Sequence, residues 1–391
     1  MPKLKVPHRM PVVTDKVTAT MLQVPKGHEK TEPLPAHVTD KPYHLSLKKI
    51  LGSDKWNSII KHRRLVFHLG GDCGTETSNR YEHLISWSME KDFLVTDESQ
   101  HPAFLYMLGD IVYPYGAAGC YYEQFYKPYE SYAAPIFSIP GNHDGAIDRS
   151  LPKRDRPPSL SAWMNNFCAT KSGLSNDGGN VDRDAMVQPG PYFTLVTPFC
   201  RFIGLYSNVP EGGSIDAHQQ KWLVNELKNA KNGAENCFVC LHHTPYSADD
   251  HHKGSRQMAD LLDSAFAQAR HYPIAVLGAH VHNYQRFTRS LKDFDGQMID
   301  VPYLVIGASG HAELHLMSRH GQAPALPAYP EDVPGLVLNS YDDQHHGFAK
   351  IEIDSAKMQF TYSISPERKS DGSPSQIDQF SLDLQSRRII S

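Results

Sequence analysis

Apolar residues in this chain fall into short runs separated by polar, glycine-bearing and proline-bearing stretches, and the spacing within each run predicts its conformation. Compact apolar runs at 64–69, 103–108, 135–139, 238–241 and 273–277 read as strands, and 192–196 with 201–206 as a hairpin. Helical spacing is expected over 45–60, 79–94, 121–132, 216–229 and 255–272. In 216–229, Trp222, Leu223 and Leu227 share one stripe, and Gly233 follows as a stop. Beyond residue 300, the segments 303–306, 348–353, 359–364 and 379–384 alternate with period two and predict further strands. No internal repeat is present.

Two regions lack such patterning. Residues 1–60 mix Pro, Lys, His and Thr and predict an N-terminal extension on the surface, leaving 61–391 as a single domain. Residues 145–191 are rich in Pro, Gly, Asn and Asp with one apolar cluster at 163–167, and predict a long insertion, a lid candidate.

Five of the apolar runs end in a residue able to bind a hard metal ion. The endings are Gly71-Asp72-Cys73-Gly74, Gly109-Asp110-Ile111-Val112-Tyr113, Gly141-Asn142-His143-Asp144, His242-His243-Thr244-Pro245 and Gly278-Ala279-His280-Val281-His282. In α/β sheets, ligands collect beyond the carboxyl ends of strands, where adjacent loops open a crevice. Carboxylate, amide and imidazole donors together suit Mn, Fe or Zn. His280 and His282, two apart on an extended segment, point the same way and could serve adjacent ions. The glycines at 71, 109, 141 and 278 leave room where chains crowd.

Composition changes this picture little. With 40% hydrophobic and 21% charged residues, the chain of 391 residues is that of an ordinary globular protein. A formal charge of −4 supplies no general basic field for nucleic acid or an anionic membrane. No apolar span has transmembrane length and none resembles a signal-peptide core, so the cytoplasm is the expected compartment. Six cysteines are too few for a disulfide framework and are expected to be reduced; Cys237 and Cys240 sit on a strand and predict core packing rather than a zinc knuckle.

The ordered set of motifs resembles the calcineurin-like metallophosphoesterase superfamily, and most closely its purple acid phosphatase branch. Asp72-Cys73-Gly74 departs from the usual Asp-x-His but matches that branch, as does Tyr113 in Gly-Asp-x-x-Tyr; the branch has Glu where this chain has Gln285. The resemblance implies a layered α/β fold: a β-sandwich flanked by helices, with the site at the C-terminal edge of the strands. It implies one ion held by Asp72, Asp110, Tyr113 and His282, and a second held by Asp110, Asn142, His243 and His280. The phenolate would favour Fe(III) at the first position; divalent Fe, Zn or Mn would take the second. In the pair before Thr244-Pro245, the family pattern selects His243 as ligand and leaves His242 at the strand end. Asp249-Asp250-His251-His252 resembles the family's phosphate-contacting histidines, and His143 would face the same phosphate with Asp144 as a possible orienting partner.

The expected function is hydrolysis of phosphomonoesters by in-line attack of a metal-bound hydroxide, with His143, His251 or His252 protonating the leaving group. Two alternatives stand beside it: a phosphodiesterase acting on cyclic nucleotides or nucleic-acid ends, and a protein-binding scaffold without turnover. Most of the 22 histidines must be bystanders; of His311, His315 and His320, only His311 is expected near the site. His68 is expected to pack nearby, and Lys153-Arg154-Asp155-Arg156 to form a solvated face.

Overall fold

The computed structural model describes residues 22–23, 30–249, 251–317, 323–330 and 332–390. Asp250, His320 and much of the expected N-terminal extension lie outside the described residues. In chain order the elements are β1 (His44–Ser46), α1 (Leu47–His62), β2 (Leu65–Gly70), α2 (Arg80–Glu90), β3 (Leu105–Met107), β4 (Ile136–Ser138), α3 (Asn142–Gly145, one turn), α4 (Ser161–Phe167), β5 (Phe193–Val196) and β6 (Cys200–Gly204). There follow α5 (Ala217–Asn232), β7 (Asn236–His243), α6 (Arg256–Ala269), β8 (Ala275–Ala279), β9 (Tyr284–Lys292), β10 (Met298–Ile306), β11 (Leu336–Asp342), β12 (Gly347–Ile353), β13 (Lys357–Ile364), β14 (Ser375–Asp383) and β15 (Arg388–Ile389). A two-residue parallel bridge also pairs Leu22–Gln23 with Gly254–Ser255.

Two mixed sheets pack face to face. One runs β11-β9-β10-β8-β7-β6-β5-β1 and the other β15-β14-β13-β12-β2-β3-β4. The central strands are buried on both faces, which is why they read as continuous apolar runs instead of alternating ones. Phe67 and Phe104 of the second sheet stack at 5.1 Å and meet Phe202 and Phe238 of the first, forming the core between the sheets. On the outer face of the first sheet, Val239, Leu241 and Val276 pack under Trp222, Leu223 and Leu227 of α5 and Leu262 and Phe266 of α6. The outer face of the second sheet buries Leu105, Met107 and Ile136 against Ile85 and Met89 of α2 and Trp163 and Phe167 of α4. The fold is thus the layered α/β sandwich with flanking helices.

Helix ends follow local chemistry. Asp216 caps α5 by accepting from Gln219 N at 2.8 Å, Gly233 follows its last turn, and Ser255 caps α6 through Met258 N at 3.1 Å.

One expectation is corrected. The helix expected over 121–132 is only a π-helical stretch at Tyr122–Tyr126 followed by turns. Pro128 lacks an N–H to continue the ladder, and Phe125, Tyr126, Tyr129 and Tyr132 are all buried, so tertiary packing overrides the helical spacing. Within the region 145–191, α4 packs into the core through Trp163 and Phe167, and Cys168 pairs with Val187 in an isolated β-bridge. Strands β1, β9, β11 and β15 are additional to those expected: β1 and β15 are too short to show a period, and polar and aromatic residues obscure it in β9 and β11.

All six cysteines are free. Among the described residues no helix is long and apolar enough to cross a membrane.

Candidate metal centre

The carboxyl ends of β2, β3, β4, β7 and β8 converge at one edge of the sandwich. Asp72, Asp110, Asn142, the pair His242-His243, and His280 each follow or end one of these strands. Asp72 (φ 53°), Asp110 (φ 54°) and His280 (φ 71°) are held in the left-handed region that non-glycine residues seldom adopt. Three such residues, one on each of three neighbouring loops, are the kind of backbone strain that accumulates at functional sites. Close approach accounts for the glycines beside them. A Cβ on Gly141 would lie 2.1 Å from Asp110 Oδ1, and one on Gly71 would lie 2.5 Å from the Cβ of Ala279, just before His280.

The side chains meet in a buried pocket. Tyr113 O–H donates to Asp110 Oδ2 at 3.0 Å and to Asp72 Oδ1 at 3.2 Å, and lies 3.3 Å from His282 Nε2. Asn142 Oδ1 is 3.0 Å from both His242 Nε2 and His280 Nδ1, while His242 Nε2 is 3.2 Å from Asp110 Oδ2. Asp72 Oδ2 accepts from the His280 backbone N at 2.8 Å. Asp110, His242 and His280 therefore form a group with metal-ligand spacing.

Tautomers can be read from the outward ring nitrogens. His242 Nδ1 faces Leu108 O at 2.9 Å and His282 Nδ1 faces Glu313 O at 3.0 Å. A carbonyl only accepts, so both Nδ1 atoms carry the proton, and in the neutral ring both Nε2 lone pairs point inward. His280 is turned the other way, with Nε2 on Glu211 Oε1 at 3.3 Å and Nδ1 inward. Lone pairs that face carboxylate and amide oxygens are stable only if a proton or a cation lies between them. This donor set fits metal ions.

Electrostatics agree. Burial raises Asp72 to about 7, with the neighbouring Asp110 charge adding to it. Burial opposes ionisation of Asp110 too, but the His242 and His143 charges outweigh it and hold the group well below the usual carboxylate range. Against its own burial, His242 is lifted to about 9 by Asp110. Burial, then Asp110 and Asp72, push the Tyr113 phenol far up, so a ligating phenolate needs a strong cation beside it.

Of the residues expected from the sequence, Asp72, Asp110, Tyr113, Asn142, His280 and His282 come together here. His243 lies beside them: its Nδ1 is braced by Ser207 Oγ at 2.7 Å, its ring lies 4.3 Å from His280, and its buried Nε2 has no hydrogen-bond partner among the described residues. His242 and Glu211 were not expected at the centre. Nothing in a sequence says which of two adjacent histidines at a strand end turns inward, and a loop glutamate carries no spacing signal at all.

His143 N donates to Asp110 Oδ1 at 2.8 Å, its ring lies 4.2 Å from Tyr113, and Nδ1 is fixed on Pro114 O at 2.7 Å. Asp144 does not orient that ring; it staples two ligand loops by accepting from Gly141 N (2.8 Å) and Ile111 N (3.0 Å). His252 packs 4.2 Å from His280, and His251 is exposed at the rim.

His311 lies 4.1 Å from His282, as expected, but His315, expected to be remote, also stacks on His282 and on His251, each at 4.3 Å. Those stacked rings are within 19° of parallel, and ligand atoms of His251, His252 and His315 lie within 4.8 Å of one another at the rim. His68 is buried behind the site, between Tyr132 and Asp92. Gln285 uses both ends of its amide, accepting from Ala248 N and donating to Ser247 Oγ, each at 2.8 Å; a Glu could not donate there.

A profile of calcineurin-like phosphoesterases matches residues 71–284, more than half of the chain, and the chain belongs to that family. The matched stretch carries every motif that ends in the pocket. Among solved structures, GAP50, described as the anchor in the inner membrane complex of Plasmodium, is similar in fold, with a TM-score of 0.51 at 14% identity over 82% of this chain and 89% of that one. PhoD is similar with a TM-score of 0.49 at 12% identity, over 84% of this chain and 72% of that one. For a dimetal phosphatase from Danio rerio the values are 0.46 and 10%, over 82% and 98%. No curated protein matches the sequence significantly.

Proposed function

We propose that this protein is a two-metal hydrolase of phosphomonoesters. The observation that supports the reading is the pocket in which three imidazole lone pairs, an amide oxygen and two carboxylates face one another, each imidazole tied from behind to an acceptor. In this reading Asp72, Tyr113 and His282 hold one ion, Asn142, His242 and His280 hold the other, and Asp110 serves both. Of the pair, this reading takes His242 over His243 on its approach to Asn142 Oδ1 at 3.0 Å and Asp110 Oδ2 at 3.2 Å. Tyr113 favours Fe(III) on its side, and the other donors suit divalent Fe, Zn or Mn.

When bound, the two cations offset the phosphoryl charge and acidify a water for in-line attack. The chain's own residues do the rest. His143, its Nδ1 donating to Pro114 O, keeps Nε2 for the leaving-group oxygen and hands over a proton from its imidazolium form. His252 binds the phosphoryl oxygens from the opposite loop, and His251, at the rim, meets the substrate as it enters. The substrate is a phosphorylated small molecule.

The test is turnover of 4-nitrophenyl phosphate and bis(4-nitrophenyl) phosphate by the metal-loaded protein. Faster monoester turnover is expected; turnover of the diester alone would move the reading to a phosphodiesterase, and turnover of neither would reject it. The iron assignment has its own readout, a visible phenolate charge-transfer band that is lost in Tyr113→Phe. A colourless active enzyme holding two Zn or Mn ions would overturn that assignment.

A further inference from the structure

The three inward-facing imidazoles are braced differently. Backbone carbonyls hold His242 and His282, whereas His280 is held by a side chain: its Nε2 lies 3.3 Å from Glu211 Oε1. The same oxygen lies 3.0 Å from His252 Nδ1. Glu211 is on the loop after β6, and that loop is fastened on several sides. Ser207 bonds His243 Nδ1, Asn208 exchanges two 2.9 Å bonds with the backbone of Glu32, and Gly212 O accepts from Ser255 Oγ, the cap of α6. Gly213 N closes a turn onto Pro210 O at 2.7 Å, with Gly212 (φ 82°) and Gly213 (φ 79°) in the left-handed region. Glu211 is therefore presented by a rigid support.

We propose that Glu211 is a positioning residue shared by the second metal ion and the phosphate-binding histidine, an assignment that rests on the two-metal reading above. By accepting from Nε2–H of His280, it fixes the tautomer that leaves Nδ1 to the ion beside Asn142. A carboxylate behind a ligating imidazole also raises the basicity of the ring. By accepting from Nδ1–H of His252, it turns Nε2 of that ring toward the substrate. One oxygen thereby sets two histidines with different tasks, and removing it weakens the second ion while the ion beside Tyr113 keeps all its donors.

The test uses the full chain as wild type, Glu211→Ala and Glu211→Gln. Zn binding is followed by calorimetry and by metal content after dialysis, and the histidine tautomers by 15N–1H NMR. Glu211 is partly exposed in a turn that its glycines define, so both variants are expected to fold. For Glu211→Ala the account expects one of two ions to weaken by about 10- to 100-fold, the other to hold within about 3-fold, and the Nε2–H signal of His280 to shift or broaden. Glu211→Gln keeps an acceptor oxygen and is expected to fall between Ala and wild type. Two ions bound by Glu211→Ala as tightly as by wild type, or equal weakening of both, would overturn the assignment. A wild type that binds no ions would instead sink the two-metal reading, so the two failures are distinguishable.

Discussion

Replacing His242 by Ala separates the two members of the histidine pair. His242 contributes an inward Nε2 that lies 3.0 Å from Asn142 Oδ1 and 3.2 Å from Asp110 Oδ2. Loss of an outer hydrogen-bond partner of a ligating histidine weakens a metal by about 10- to 100-fold, so loss of the donor itself sets about 100-fold, ~2.8 kcal/mol, as the lower bound. At free Zn equal to about 100 times the wild-type dissociation constant, that ion contributes ~2.7 kcal/mol to folding; a site 100-fold weaker contributes only ~0.4 kcal/mol. The difference, ~2.3 kcal/mol, corresponds to a Tm gap of about 3 °C for a chain of this length. The gap should be present in buffered Zn and vanish in a chelator. His243→Ala should behave differently: its ring is bonded to Ser207 and buried, so the variant loses packing and lowers Tm equally with and without metal. The reasoning is refuted if His243→Ala shows the metal-dependent gap and His242→Ala does not.

Two further outcomes are expected. Burial, followed by the Arg387 and Lys231 charges, lowers His271 to about 4 in the folded chain. Its folded value is below the unfolded one of about 6.5, so the unfolded state binds more protons between them, and the stability it supports is complete above pH 6.5 and lost as pH falls toward 4. At pH 5 this amounts to about 2 kcal/mol, so urea titrations should show a smaller loss between pH 7 and pH 5 for His271→Gln than for wild type; equal losses would contradict it. In Gly141→Ala, the new Cβ meets Asp110 Oδ1 at 2.1 Å and Asp110 N at 2.4 Å, so the shared carboxylate must move. Displacement by about 1 Å costs on the order of 100-fold in rate, and monoester turnover should fall at least that far while circular dichroism stays native; unchanged turnover would show that Asp110 is not critically placed.

The order of elements was largely legible in the sequence because doubly buried strands leave uninterrupted apolar runs, and 238–241 and 273–277 were found on that signal. Strand β9 was hidden because it begins at Tyr284, inside a motif whose polar residues carry the site's hydrogen bonds. Pro128 disfavours a helix over 121–132, and packing of the tyrosines decides the outcome. At the site, strand-end punctuation located five loops, and the left-handed backbones of Asp72, Asp110 and His280 give that punctuation a physical cause. What the sequence withheld was side-chain direction. His242 and His243 differ only in which face of a bulged strand end they leave from, and the register shift between β7 and β8 falls at that point. Glu211 and His315 reach the pocket from loops whose path depends on tertiary packing, so no local pattern marks them.

The most direct test is anomalous scattering from crystals of the protein saturated with Zn or Mn. The account predicts two peaks roughly 3.5–4 Å apart, with the Asp110 carboxylate between them, His282 and Tyr113 on one and His242, His280 and Asn142 on the other. A single peak, or a pair that Asp110 does not bridge, would contradict it.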